Sequence, residues 1–237
     1  MKIKILATGS SKWERFIRRW GVSFLIGEDV LFDTFGDPGV LLKNMRKFNV
    51  DASKIKHIVL SHDDWDHISG LWYLIPNRTD ITVYICPGFK QEIKDRIASF
   101  GAGIVEVEPF TVIKEDMFSS GQIEVSYAER TIFEQVLVIK FLKSLTIITG
   151  CAHPGIVNII HAVQNNFLRE KAYSVLGGFH LKDNTNEDNM NIIKELKDIG
   201  IRKIIPMHCT GKRATKMIRA AFGYNFIKAR EGDSIEL

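Results

Sequence analysis

Apolar positions arrive in short runs rich in β-branched residues, broken by glycine or polar residues, with stretches of three-to-four-residue periodicity between them. The short runs are the signature of strands, and the longer amphipathic stretches that of helices. In the first half the pattern predicts strands at Ile3 to Ala7, Val22 to Ile26, Val30 to Asp33, Lys56 to Leu60 and Ile81 to Ile85. In the second half it predicts Ile104 to Val107, Glu124 to Ala128, Gln135 to Phe141, Leu145 to Thr149, Ala172 to Leu176 and Lys203 to Ile205. Helices are expected at Pro38 to Phe48, His67 to Leu74, Lys90 to Phe100, Gly155 to Asn165, Asn186 to Ile199 and Ala214 to Phe222.

Each half runs strands first and then alternates strand and helix. That order implies an α/β fold with two similar mixed β-sheets packed face to face and helices outside. A single doubly wound sheet is the alternative, but the meander Asp29 to Asp33 and the hairpin-like Gln135 to Thr149 bring more antiparallel pairing than it usually carries. With no linker, low-complexity tract or short repeat, residues 1–237 read as one domain.

The 237 residues, 45% hydrophobic and 25% charged, are ordinary globular values. A formal charge of +4 favours anionic small molecules, without the dense Lys/Arg block of a nucleic-acid tail. Three cysteines are too few and too odd for a disulfide framework and point to a reducing compartment, so the cytoplasm is the expected location. The start Met1-Lys2-Ile3-Lys4-Ile5-Leu6 reads as a strand, and no apolar run approaches the roughly 18 residues of a membrane span.

Candidate chemistry gathers where strands end. After the apolar run Ile55 to Leu60 comes Ser61-His62-Asp63-Asp64-Trp65-Asp66-His67, with four metal-binding side chains within six positions. Of seven histidines, His62, His67, His153, His180 and His208 follow or lie within a turn of a predicted strand, whereas His57 and His161 sit inside a strand and a helix and read as ordinary structural residues. Ligands drawn from several strand ends into one cleft are how a sheet protein fixes a metal site. Asp64 also suits a helix N-cap, Cys151 reads equally as a ligand or as a buried strand-end cysteine, and His180 as a ligand or an unremarkable strand-end histidine. Thr210, Lys212 and Arg213 open a helix where an anion could bind, or where a capped helix simply carries solvated basic residues. The basic, aromatic segment Ser11 to Trp20 suits stacking on a flat ring with Arg on phosphate, or a short amphipathic cover over the core, or a subunit contact.

His62-x-Asp64-x-Asp66-His67 resembles the H-x-H-x-D-H signature of the metallo-β-lactamase superfamily, and Phe32-Asp33-Thr34 resembles that superfamily's entry region. The segments Thr149 to Asn158, Gly177 to Leu181 and His208 to Gly211 resemble a narrower branch that includes archaeal dihydropterin synthases, which join a dihydropterin unit to a ribofuranosyl-aminobenzene phosphate. The resemblance implies an αββα sandwich. It further implies a binuclear centre with His62, Asp64 and His153 on one divalent ion and Asp66, His67 and His208 on the other, and Cys151 close to the bridging position.

Zinc is the first choice of ion, with manganese or iron as alternatives, because Asp64 stands where the signature has histidine and a carboxylate suits harder ions. Two ions about 3.5 to 4 Å apart would activate a bridging water, so the implied activity is hydrolysis of a small phosphorylated or cyclic substrate. Asp66 would orient the attacking oxygen, His180 would donate a proton to the leaving group, and Asp33 would orient a ligand histidine. The alternatives are a dihydropterin-synthase-like transferase, a nuclease of the RNase Z type, which should add a basic arm not evident here, and a non-catalytic metal- or ligand-binding protein. The oligomeric state is not legible.

Overall fold

The computed structural model describes residues 1–236. Among the described residues fifteen strands follow one another: β1 (Lys2–Gly9), β2 (Gly21–Ile26), β3 (Val30–Phe32), β4 (His57–Val59), β5 (Thr82–Ile85), β6 (Gly103–Glu106), β7 (Val112–Lys114), β8 (Met117–Ser119), β9 (Ile123–Tyr127), β10 (Arg130–Glu134), β11 (Leu137–Phe141), β12 (Ser144–Thr149), β13 (Lys171–Gly178), β14 (Lys203–Met207) and β15 (Ser234–Glu236). The first sheet has the order β15-β1-β2-β3-β4-β5-β6 and the second β14-β13-β12-β11-β8-β7, while β9 and β10 form a separate hairpin. Both large sheets are mixed: β3 to β6 are mutually parallel beside an antiparallel β1-β2-β3 meander, and β12 to β14 are parallel beside antiparallel β11.

The helices are α1 (Lys12–Phe16), α2 (Pro38–Lys47), α3 (Trp65–Ile68), α4 (Leu71–Leu74), α5 (Gln91–Ser99), α6 (Ile156–Asn166), α7 (Asn186–Ile199) and α8 (Lys212–Phe222). Three apolar layers show how they stack. Between the sheets, Ile3, Phe24 and Phe32 of the first meet Leu137, Ile148 and Leu176 of the second. Leu41, Met45, Leu71 and Ile97 close α2, α4 and α5 on the first sheet's outer face, and Ile160, Leu196 and Ile218 close α6, α7 and α8 on the second's. The result is the αββα sandwich, with each fully buried Phe or Leu worth roughly 2 to 3 kcal/mol over an exposed one.

Periodicity located the long elements and, of the three-residue strands, the apolar β3 and β4. β7, β8, β10, β15 and α1 were not expected, since three to five residues are too few to establish a period. The helix expected at His67 to Leu74 is two short helices, α3 and α4, with Gly70 between them. A Cβ at Gly70 would lie 2.2 Å from the Thr34 carbonyl oxygen, so the chain passes too close to the strand-end loop there for a side chain.

Candidate metal centre

The parallel strands β4, β12, β13 and β14 each lead from their carboxyl ends into a histidine: His62 after β4, His153 after β12, His180 after β13 and His208 directly after β14. His67 comes from α3. β4 belongs to the first sheet and β12 to β14 to the second, and at their ends the ring centroids lie 4.1 Å (His62 to His67), 4.8 Å (His62 to His153), 5.3 Å (His67 to His208) and 4.6 Å (His153 to His180) apart. Five imidazoles are therefore gathered in one cluster, in tilted and T-shaped contacts.

Each of the four histidines assigned to metal is held through Nδ1. His67 Nδ1 donates to Asp33 Oδ2 at 2.6 Å, His153 Nδ1 to Glu134 Oε2 at 2.9 Å, and His208 Nδ1 to the Gly9 carbonyl at 2.8 Å. The carboxylates of Asp33 and Glu134 only accept, which puts the proton of His67 and His153 on Nδ1, whereas His208 Nδ1 has both the Gly9 carbonyl and, at 3.2 Å, the Gly21 peptide N–H beside it. The Ser61 hydroxyl gives its own proton to Asp33 Oδ2 at 2.7 Å, which leaves its oxygen to accept from His62 Nδ1 at 2.9 Å. In all four rings Nε2 is the nitrogen left for a ligand, and Nε2 of His62 and of His208 are buried with no hydrogen-bond partner. Orphaned buried nitrogens are costly unless something else binds them, and a second partner that fixes ring tautomer is the usual companion of a metal-bound imidazole.

The donor atoms fall into two overlapping groups, one of His62, Cys151 and His153 and one of His67, Cys151 and His208, each within 4.8 Å of one another. Cys151 belongs to both. Asp66 Oδ2 stands 3.3 Å from His67 Nε2 and 3.4 Å from His208 Nε2 and so completes the second group. A third triad of Cys151, His180 and Cys209 adjoins them. His180 itself has Nε2 at 2.8 Å from the Tyr127 hydroxyl and a buried, unpartnered Nδ1.

Asp64 is the member held apart. Its Oδ2 lies 3.5 Å from His62 Nε2, but both its oxygens accept from one Arg130 nitrogen, at 2.7 and 2.8 Å. It occupies the N-cap position of α3, yet its side chain makes no cap hydrogen bond. Burial raises the Asp64 carboxyl, and the bonds and charges of His62 and Arg130 outweigh that and hold it below the usual carboxylate range.

The field across the site favours added positive charge. Burial would lower His67, yet the carboxylates of Asp33 and Asp66 drive it well above an ordinary imidazole. Burial raises the Cys151 thiol, and its contact with Cys209 and then the charges of Asp66 and Glu134 add to the effect, so a nearby cation would favour its thiolate. Glu134 would also be raised by burial, but the His153 hydrogen bond and the charges of His62 and His153 lower it to about 2. The residues present suit divalent metal: imidazole nitrogens, a thiol and carboxylates, preoriented and facing inward.

Four participants had no sequence signal of their own. Glu134, Arg130 and Tyr127 come from the β9–β10 hairpin, and Gly9 offers only its carbonyl. The one trace is that Glu134 and Gln135 open an otherwise apolar strand run. Close approach also matters: a Cβ on Gly150 would lie 2.1 Å from Ser61 Oγ and 2.8 Å from Asp33 Oδ2, so glycine there admits the network that holds His62 and His67. Trp65 packs beside Trp20, Cys151 and Cys209, with the Arg18 guanidinium 5.1 Å from its ring.

A strand-end cluster of this composition on an αββα sandwich defines a metallo-β-lactamase-type protein. The sequence model of the metallo-beta-lactamase superfamily matches residues 21–168, and the chain belongs to that superfamily. Among its relatives is the 7,8-dihydropterin-6-methyl-4-(beta-D-ribofuranosyl)-aminobenzene-5'-phosphate synthase of Methanocaldococcus jannaschii, 29% identical over 93% of this chain and 91% of the relative. An uncharacterized protein of the same organism is 30% identical over 90% of this chain and 91% of its own length. Among solved structures, a metal-dependent hydrolase of the beta-lactamase superfamily superposes with a TM-score of 0.80 at 27% identity, covering 100% of this chain and 99% of that one. Among the described residues no helix is long and apolar enough to cross a membrane.

Proposed function

We propose that the chain is a metal-dependent hydrolase of small molecules with a binuclear centre. His62, Asp64 and His153 take one divalent ion, Asp66, His67 and His208 the other, and Cys151 stands between them. The observation that carries this reading is the set of four imidazoles, each pinned through Nδ1 with Nε2 left for a ligand. Zinc suits the imidazole and thiol donors, and manganese or iron would suit the carboxylates.

Bound ions would supply Lewis acidity toward a water and toward a substrate oxygen. The chain supplies the rest. Asp66, between His67 and His208, orients what binds at the second group, while Asp33, Ser61 and Glu134 prevent the rings from turning away. His180 lines a cavity of about 380 Å3 with Tyr127 and His153, and its Nε2 lies 2.8 Å from the Tyr127 hydroxyl, a pair that would pass a proton to a leaving group in that cavity. Because the ligands come from both halves of the chain, the halves act as one unit.

Metal analysis of the purified protein, together with hydrolysis assays on phosphodiester, phosphomonoester and lactone panels, tests the reading. About two ions per chain and a rate abolished by His62→Ala and Asp66→Ala are expected. Fewer than one ion after reconstitution, or activity that survives both substitutions, refutes it. A second reading is a transferase like the dihydropterin synthase, favoured by the 29% identity over 93% of the chain. Condensation of a dihydropterin with an aminobenzene phosphate, without hydrolysis of any panel member, would select it.

A further inference from the structure

β12, β13 and β14 are neighbouring parallel strands of the second sheet, and Thr149, Gly177 and Pro206 stand level across them. Cys151 follows shortly after Thr149, His180 after Gly177 and Cys209 after Pro206. The three side chains therefore leave one sheet end side by side, and their donor atoms lie within 4.8 Å of one another. The groups around His62 and His67, by contrast, each draw on both halves of the chain, and neither includes His180 or Cys209.

The backbone is shaped for this meeting. Each of the three strand ends passes through a left-handed residue that is not glycine: Ala152 at φ 60°, His180 at 50° and His208 at 49°. That conformation is unfavourable for a residue with a side chain, and it persists where it aims groups at a ligand. Room is also made for sulfur, since a Cβ on Gly178 would lie 2.6 Å from Cys209 Sγ.

The donors are soft. Cys151 and Cys209 are free, buried thiols, packed with Trp20 and Trp65. His180 is held at Nε2 by the Tyr127 hydroxyl, 2.8 Å away, while its Nδ1 is buried with no partner. Such a nitrogen is costly to leave unbound. Two thiolates and one imidazole select copper(I) or zinc, and the number of donors separates those two: zinc takes four ligands, whereas three suffice for copper(I). A single positive charge is also repelled less than a second or third divalent one by ions at the neighbouring groups. Bonds as long as those of zinc, about 2.3 Å to sulfur and about 2.0 Å to nitrogen, set donors roughly 3.5 to 4 Å apart, so small side-chain shifts close the present spacing.

We propose that Cys151, His180 and Cys209 form a further metal site, for one copper(I) ion, beside the two groups that take divalent metal. The ion ties together the strand ends that carry His153, His180 and His208, and by taking Nδ1 it leaves His180 Nε2 on Tyr127.

The test adds copper(I) without oxygen to the zinc-loaded full chain, removes loose copper with a copper(I) chelator, and measures copper and zinc by elemental analysis. The wild type should keep one copper per chain with its zinc undiminished, and X-ray absorption at the copper edge should show two sulfurs and one imidazole nitrogen. Cys209→Ala should keep no copper, His180→Ala should lose the imidazole signal, and Cys86→Ala, whose thiol lies outside the triad, should match the wild type. If Cys209→Ala does not fold, Cys209→Ser, of nearly the same shape, takes its place with the same expectation. No copper retained by the wild type, equal copper in the Cys209 variant, or copper that enters only as zinc leaves overturns the proposal. One copper held through Cys209 in a chain that keeps less than one zinc upholds this site and refutes the binuclear centre, while two zinc ions and no copper do the reverse.

Discussion

Glu134 grips His153 twice with one oxygen: Oε2 accepts the ring N–H at 2.9 Å and the peptide N–H of the same residue at 2.8 Å. Its other oxygen accepts the peptide N–H groups of Cys151 and Ala152 at 3.1 and 2.7 Å. A single buried carboxylate thus fixes a ring and the turn that carries it.

Truncation there should cost both stability and metal. Glu134→Ala leaves three buried amides and a ring nitrogen without acceptor, and should destabilise the protein by about 3 kcal/mol or more in urea unfolding. Glu134→Gln keeps the shape and one acceptor. It should fold while its affinity for the ion at His62 and His153 drops about 10- to 100-fold in chelator competition. An unaltered affinity would mean that His153 needs no outer partner.

Cys151 decides which metals are preferred, because it alone belongs to both ligand groups. Cys151→Ser should weaken zinc and cadmium far more than manganese, since only the soft ions gain from thiolate. With cobalt as a probe, the wild type should show thiolate charge-transfer absorption and the variant none. The same spectrum in both would remove sulfur from the centre.

Arg130 competes with any ion for Asp64. Its guanidinium holds both carboxylate oxygens, so Arg130→Gln should tighten binding of the first ion by up to about tenfold by relieving charge repulsion. Asp64→Ala should release that ion, and Asp64→His should retain it. If Asp64→Ala keeps two ions per chain by mass spectrometry, Asp64 serves Arg130 alone.

Away from the centre, His57 gives stability a pH slope. Burial lowers its pKa, with Asp29 opposing and Lys114 reinforcing the shift. A folded value below the unfolded one, near 6.5, means that the unfolded chain takes the proton first as pH falls. Its share of stability is intact above about 6.5 and is lost as pH drops through that value and then through the folded one. His57→Gln should flatten the stability profile between about pH 7 and 5 in urea titrations, and matching slopes in the two proteins would remove His57 as the cause.

The two-sheet architecture was legible because the long strands bury continuous apolar runs, as in Gly21–Ile26, where every residue is buried. The histidines were legible because His62, His153, His180 and His208 follow such runs and His67 lies within a turn of one. Glu134, Arg130 and Tyr127 were not, because they lie at the ends of two short strands with few apolar positions, and a charged residue there reads as solvated although Glu134 is fully buried. Cys151 and Cys209 are 58 positions apart, and their meeting depends on β12 and β14 lying on either side of β13 in one sheet. Local pattern carries no information about such a meeting.

The β9–β10 hairpin pairs only with itself, and none of its residues is assigned to a metal ion, yet it reaches His180 through Tyr127, Asp64 through Arg130 and His153 through Glu134. Its far end, with Tyr127 and Arg130, hydrogen-bonds only to the side chains of His180 and Asp64, while Glu134 at its near end also anchors the turn that carries Cys151 and His153. Exchanging the ribbon up to Glu134 would retune two side chains at the centre while leaving both sheets in place, a modular route by which the same frame acquires new chemistry.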